Sequence, residues 1–166
     1  MTTTLLTRHG QTEWNREERF RGRIDVPLNA TGERQAAALA ERLTQYSIAA
    51  IYTGPMQRVR RTGGICAARL GLQAQVLPHL LDADYGAWQG LSPAEISERY
   101  PDLWRLYLSA PQEVHFPAGE TLVTLQERVV AVMEEAIPAI TAATKSSPST
   151  THATCPKDEP ATPRHE

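Results

Sequence analysis

Cysteine is scarce: Cys66 and Cys155 are the two found in 166 residues. Two cysteines suggest neither a disulfide framework nor a zinc ligand set. Cys66 stands among small and apolar residues and reads as packing. A reducing, cytoplasmic setting is therefore expected. Long apolar runs are lacking as well. No stretch approaches the ~20 apolar residues of a membrane span. The N-terminus has neither the basic start nor the long apolar run of a signal peptide. Excess positive charge is also missing. The formal net charge is -2, which argues against a broad nucleic-acid surface. What remains is one domain's length of chain, enough to bury a core.

The sharpest absence lies at the end. After Ile140 there is no Ile, Leu, Val, Met, Phe, Trp or Tyr. Residues 141–166 are rich in Ser, Thr and Pro and hold too little apolar surface to order themselves. The chain is accordingly divided into a domain, 1–140, and a disordered or loosely attached tail, 141–166.

Within the domain, strand and helix patterns alternate. Thr3 to Thr7 predicts a short strand. Thr31 to Leu43 predicts a helix, with Thr31 at its cap and an Ala-rich run from Gln35 to Ala40. Ala49 to Tyr52 predicts a buried strand leading into the turn Thr53-Gly54-Pro55. Arg60 to Leu70 predicts a helix stopped by Gly71. Gln75 to Leu77 predicts a strand, and Ser92 to Tyr100 a helix opened by Ser-Pro. Thr121 to Ile140 predicts a long amphipathic helix, with Leu122, Leu125, Val129, Val132, Met133 and Ala136 on one face. This alternation indicates α/β: a three-layer sandwich, its mostly parallel central sheet flanked by helices.

Chemistry concentrates at the end of the first strand, in Leu5-Leu6-Thr7-Arg8-His9-Gly10-Gln11-Thr12-Glu13-Trp14-Asn15. Arg8 offers a planar fork that matches phosphate oxygens. His9 offers a nitrogen nucleophile near neutral pH. Gly10 allows a sharp turn and a close backbone approach to a ligand. An Arg-His pair alone ordinarily marks a solvated surface, so the surroundings decide. They include Arg21-Gly22, then Asp25 and Pro27-Leu28, then Thr53-Gly54-Pro55-Met56-Gln57-Arg58. Further on come Asp82-Ala83-Asp84-Tyr85-Gly86-Ala87-Trp88-Gln89-Gly90 and Phe116-Pro117-Ala118-Gly119-Glu120.

Together these segments resemble the histidine phosphatase superfamily, the phosphoglycerate mutase-like enzymes. The resemblance runs from about residue 3 to 140 and implies that His9 is the nucleophile. Arg8 and Arg58 would hold the phosphate, with Asn15, Arg21 and Gly22 on the substrate side. Arg60 and Arg61 carry the same charge as Arg58, but spacing favours Arg58. Asp82 stands where the family commonly has a glutamate acid, so it would protonate the leaving oxygen despite one methylene less of reach. Asp84 and Glu120 are read as structural. Where the family usually has two serines, this chain has Thr53-Gly54.

The implied reaction is phosphomonoester hydrolysis through a phosphohistidine. Its substrate is a small phosphorylated molecule, with no metal, cofactor, nucleic acid or membrane required. The segment after Asp82 is similar to the α-ribazole and broad-specificity phosphatase branch. A phosphoglycerate mutase is the first alternative. An inactive remnant that binds phosphorylated ligands is the second.

One expected part is missing. The family places a second histidine after a buried strand of branched residues, soon after the Glu120 helix. Here that region reads Lys145-Ser146-Ser147-Pro148-Ser149-Thr150-Thr151-His152. His152 is the candidate, but Pro148 and the serines do not suit a central strand. His79, His115 and His165 have no motif support. The expectation is a truncated or frame-shifted fold, incomplete at its C-terminus, with impaired turnover. An exposed sheet edge, marginal stability and aggregation or self-association are expected with it.

Overall fold

The computed structural model describes residues 3–146. Its elements in chain order are α1 (Glu13–Arg16), α2 (Ala30–Leu43), β1 (Ile51–Thr53), α3 (Gln57–Leu70) and β2 (Ala74–Val76). Next come α4 (Pro93–Arg99), α5 (Pro101–Ser109) and α6 (Leu122–Ser146). Short 3-10 turns occupy Gly86–Trp88 and Pro111–Glu113.

The class is α/β, as expected. β1 and β2 pair in parallel, Ile51 opposite Ala74 and Thr53 opposite Val76, joined through α3. Among the described residues the sheet stops there. Thr3 to Thr7, expected as a strand, forms no ladder. A strand exists only where its N–H and C=O groups meet a neighbour, and this segment lies exposed, with Leu6 92% accessible.

Two cores organise the helices. The first is built of small residues. Gly32, Ala36 and Ala40 form the buried stripe of α2, and Thr62, Gly63, Cys66 and Ala67 lie buried on α3. The Cys66 Sγ lies 4.0 Å from the Ala36 carbonyl, so Cys66 packs, as expected. Burial pushes its thiol above the usual range, which keeps it inert. Arg61–Glu33 and Arg69–Glu41 bridge the rims of the two helices. Asn29, rather than Thr31, caps α2 by accepting the Gly32 N–H at 2.9 Å. Gly71 ends α3 in the left-handed conformation.

Gly63 and Gly64 weaken α3 unequally. A Cβ on Gly63 would overlap the Thr53 side chain, whereas one on Gly64 meets nothing within 4 Å. Gly64→Ala should therefore stabilise the protein by about 0.5–1 kcal/mol through lower unfolded-state entropy. A rise in the urea midpoint checks this.

The second core is aromatic. Trp88, Ile96, Val114 and Phe116 are buried, with Phe20, Tyr85, Trp104 and Tyr107 packed against them. Both phenylalanines of the chain are here. Phe20 meets Trp88 edge to face at 5.5 Å, and Tyr85 meets Phe116 the same way at 5.0 Å. α4 starts at a Ser92–Glu95 capping box with Pro93 at its first turn. Pro101 then disfavours helical geometry at Tyr100 and restarts the chain as α5.

On α6, Ala136 is buried, and Leu122, Leu125, Val129, Val132 and Met133 are half-buried, as the pattern predicts. The helix continues to Ser146, past the Ile140 end predicted from hydrophobicity. Ala142, Ala143 and Lys145 are good helix formers, and a polar helix end needs no core beneath it. Residues 147–166, with the candidate His152, lie outside the described residues.

Candidate active site

His9 emerges from a loop tied to α2 and α3. The Gly10 N–H donates to Thr62 Oγ1 at 3.1 Å, and the Thr62 hydroxyl donates to the Arg58 carbonyl at 2.8 Å. Gly10 is buried against the first turn of α2, where a Cβ would overlap the Gly32 carbonyl. The side a Cβ would occupy is thus closed by protein backbone. The next residues form a capping box: Asn15 Oδ1 accepts the Thr12 N–H at 2.9 Å, and Thr12 Oγ1 accepts the Asn15 N–H at 3.3 Å. Asn15 therefore shapes the loop through its carbonyl oxygen.

The half-buried imidazole of His9 donates Nδ1–H to the Gly10 carbonyl at 2.7 Å. A carbonyl can only accept, so Nδ1 carries the proton and Nε2 keeps its lone pair. Burial pushes the His9 pKa below its ordinary value. The Gly10 carbonyl opposes this, Arg58 and Arg21 reinforce it, and Asp82 opposes it. The neutral, nucleophilic form is favoured.

Arg58 is 0% exposed. Its Nη1 donates to the Ile24 carbonyl at 2.9 Å, and its Nη2 to the Gly22 carbonyl at 2.8 Å and to Asp82 Oδ2 at 2.8 Å. Of the three neighbouring arginines Arg58 is the buried one: Arg60 is exposed and Arg61 pairs with Glu33. Gly22 is buried at φ +52, where a side chain would be strained and would overlap Gln89. Its carbonyl is committed to Arg58.

Arg21 is half-buried beside Arg58, Asp82, Arg8 and Tyr85. Burial, then Arg58, lowers its affinity for its proton. The Nε atoms of Arg21 and Arg58 are both buried with no acceptor among the described residues. Exposed Arg8 adds a third positive charge close enough to act on Arg21. Asp82, with a side chain 43% exposed, is the carboxylate set against them. The cluster is short of negative charge, and buried donors without acceptors are costly.

Thr53 and Gly54 sit where serines were expected. The Thr53 hydroxyl is buried without a partner among the described residues, while its methyl fits against Gly63. A Cβ on Gly54 would overlap the Leu80 carbonyl, so the close approach of the 80s loop requires glycine there. Asp84 holds the Gly86 N–H at 3.0 Å and pairs with Arg23, a structural role as expected. Burial pushes Glu120 up, but Arg128, the Asp84 N–H and Arg23 together hold it below the carboxylate range.

Three contributors were missed in the sequence. Tyr85 lines a recess of about 160 Å³ with Arg21, Gly22 and Asp82. Burial, then Tyr107 and Asp82, pushes its phenol up to about 12, so it stays a donor. Its place three residues after Asp82 was the available signal. Asp25 accepts the Gln57 N–H at 2.8 Å across the fold and so caps α3, which has no cap from its own N-cap residue, Met56. Thr62, the anchor of Gly10, looked like any helix-surface threonine. A second recess of about 450 Å³ opens between Arg8, His9 and Gly10 on one side and Gln35, Ala36 and Leu39 of α2 on the other.

Known proteins resemble this chain over most of its length. Phosphoserine phosphatase 1 of Hydrogenobacter thermophilus is 32% identical over 81% of this chain and 64% of its own length. A mycobacterial glucosyl-3-phosphoglycerate phosphatase in complex with VO3 superposes with a TM-score of 0.73 at 30% identity. That match covers 79% of this chain and 62% of the other. A phosphoglycerate mutase from Thermus thermophilus has a TM-score of 0.62 at 37% identity, over 76% of this chain and 68% of the other. The chain spans a little under two thirds of the first two relatives. The family model for the histidine phosphatase superfamily (branch 1) matches residues 4–146, and the chain belongs to that superfamily.

Proposed function

We propose that the chain hydrolyses small phosphomonoesters through a phosphohistidine on His9. The observation that carries this reading is an imidazole whose Nδ1–H is held by the Gly10 carbonyl, under the charge of two arginines whose buried Nε–H groups meet no acceptor among the described residues. A phosphoryl group supplies the missing negative charge. Arg8, Arg21 and Arg58 then face its oxygens, and the Arg21–Asp82–Tyr85 recess takes the leaving group.

In the first step the Nε2 lone pair forms a P–N bond and the ester P–O bond breaks. Asp82 gives its proton to the departing oxygen. In the second, the Asp82 carboxylate takes a proton from water as the water oxygen attacks phosphorus. The P–N bond breaks and its electron pair returns to Nε2. Charge on the transferring group is balanced by positioned guanidinium groups, which is the main source of catalysis in such transfers. Among the described residues the charges acting on His9 are Arg58, Arg21 and Asp82. The relatives' names include both phosphatases and phosphoglycerate mutases, so phosphoglycerate interconversion is the second activity to measure.

The test is hydrolysis of p-nitrophenyl phosphate by wild type and His9→Ala. The variant should lose activity by about a thousandfold or more, and acid-quenched wild type should carry label from a 32P-ester on His9. Folded wild type with no turnover and no label would leave only ligand binding. The pH profile has a defined sign. The nucleophile must be unprotonated and its pKa lies below the ordinary 6.5, so on p-nitrophenyl phosphate, whose leaving group needs no proton, the acid limb of kcat/KM should lie below pH 6.5. Stability falls in the same direction, because the unfolded chain takes that proton first as acid is added.

A further inference from the structure

Arg128 on α6 is absent from every motif discussed so far, yet its whole guanidinium is turned onto the loop that carries Asp82. Nη1 donates to the carbonyls of His79 at 2.8 Å and Leu81 at 3.2 Å. Nη2 donates to the Asp82 carbonyl at 3.3 Å and to Glu120 Oε1 at 2.8 Å, and Nε to Glu120 Oε2 at 3.3 Å. Glu120 in turn accepts the Asp84 N–H at 2.9 Å. The backbone on both sides of the acid is thus held by one ion pair. That pair is well shielded, with side chains 21% and 11% exposed.

Residues 77–85 belong to no helix or strand, so these carbonyls have no ladder to satisfy them. Meanwhile Arg58 of α3 holds the Asp82 carboxylate at Oδ2. Backbone and side chain of the acid are therefore fixed from two different helices.

We propose that Arg128 is a positioning residue for general acid catalysis, setting the Asp82 loop so that the carboxyl meets the leaving oxygen. The inference rests on the reading of Asp82 as the acid. The fork is what matters, because only a planar guanidinium spans carbonyls at successive turns of a loop and a carboxylate together.

The test compares two esters. p-Nitrophenolate leaves without needing a proton, whereas the alkoxide of β-glycerophosphate needs one. In kcat/KM, which reports the first transfer and not the later attack by water, Asp82→Asn should lose about a hundredfold more on β-glycerophosphate than on p-nitrophenyl phosphate, and Arg128→Met should reproduce that selectivity. The double variant should lose no more kcat/KM than either single one, since Arg128 acts through Asp82. Arg128→Lys keeps the charge without the fork and should show the same ester selectivity; it also serves if the methionine variant fails to fold. Equal losses on both esters, or additive losses in the double variant, would overturn the positioning role while leaving the phosphatase reading intact. Wild type inactive on both esters would overturn the phosphatase reading and this assignment with it.

Discussion

Arg58→Met should cost about 3–5 kcal/mol of stability and lower kcat/KM by roughly a hundred- to a thousandfold. The two losses have separate origins. Stability falls because the fully buried guanidinium is the partner of the Gly22 and Ile24 carbonyls. Methionine fills most of the volume but donates nothing, so both acceptors are left dry. Activity falls because the same group faces His9 and holds the Asp82 carboxylate. Arg58→Lys should recover part of the charge and little of the stability, because one ammonium cannot reach all three acceptors. Urea unfolding and steady-state hydrolysis read the two effects separately. A variant with a wild-type midpoint and turnover would remove Arg58 from the site.

Gly10→Ala should be nearly as damaging for a purely steric reason. The added methyl would overlap the backbone of Gly32, and Gly32→Ala would overlap the Gln11 carbonyl in return. No side chain can rotate away, because both surfaces are backbone. The loop must move, and overpacking of this kind costs about 3 kcal/mol or more when backbone is displaced. His9 moves with it, because its Nδ1–H is bonded to the Gly10 carbonyl. A displacement near 1 Å costs about a hundredfold in rate. Either alanine variant should therefore lose thermal stability and turnover together. Unchanged melting in both would show that the loop is free to relax.

The parts of this molecule legible in its sequence are those with local signals. The αL glycine after α3, the Ser92 capping box and the apolar stripe of α6 each declare themselves within a few residues. Arg58 is distinguishable from Arg60 and Arg61 because a turn-to-helix spacing singles it out. What stays hidden depends on distant partners. Asp25 caps a helix 32 positions away, and Arg128 reaches 46 positions back to Asp82. Neither pairing leaves a periodic trace. The strand expected from Thr3 to Thr7 fails for the same reason in reverse. Its local propensity is right, but a ladder is a property of two segments, and among the described residues no segment pairs with it. α5 escapes the sequence reading although Leu103, Trp104, Leu106 and Tyr107 carry a helical spacing after Pro101. A proline reads equally as the boundary of one helix and the first turn of the next.

His9 and Asp82 are anchored in different cores. His9 is tied to the small-residue packing of α2 and α3, whereas Asp82 and Tyr85 stand on the aromatic side. Arg58 grows from the first and bonds into the second. Loosening that joint would part the two reacting groups while each core kept its own packing. An anion gripped from both sides has the opposite effect and acts as a reversible cross-link. By mass action its occupancy adds RT ln(1 + [L]/Kd) to the resistance against opening. Resistance of the folded chain to proteolysis should then rise with added inorganic phosphate.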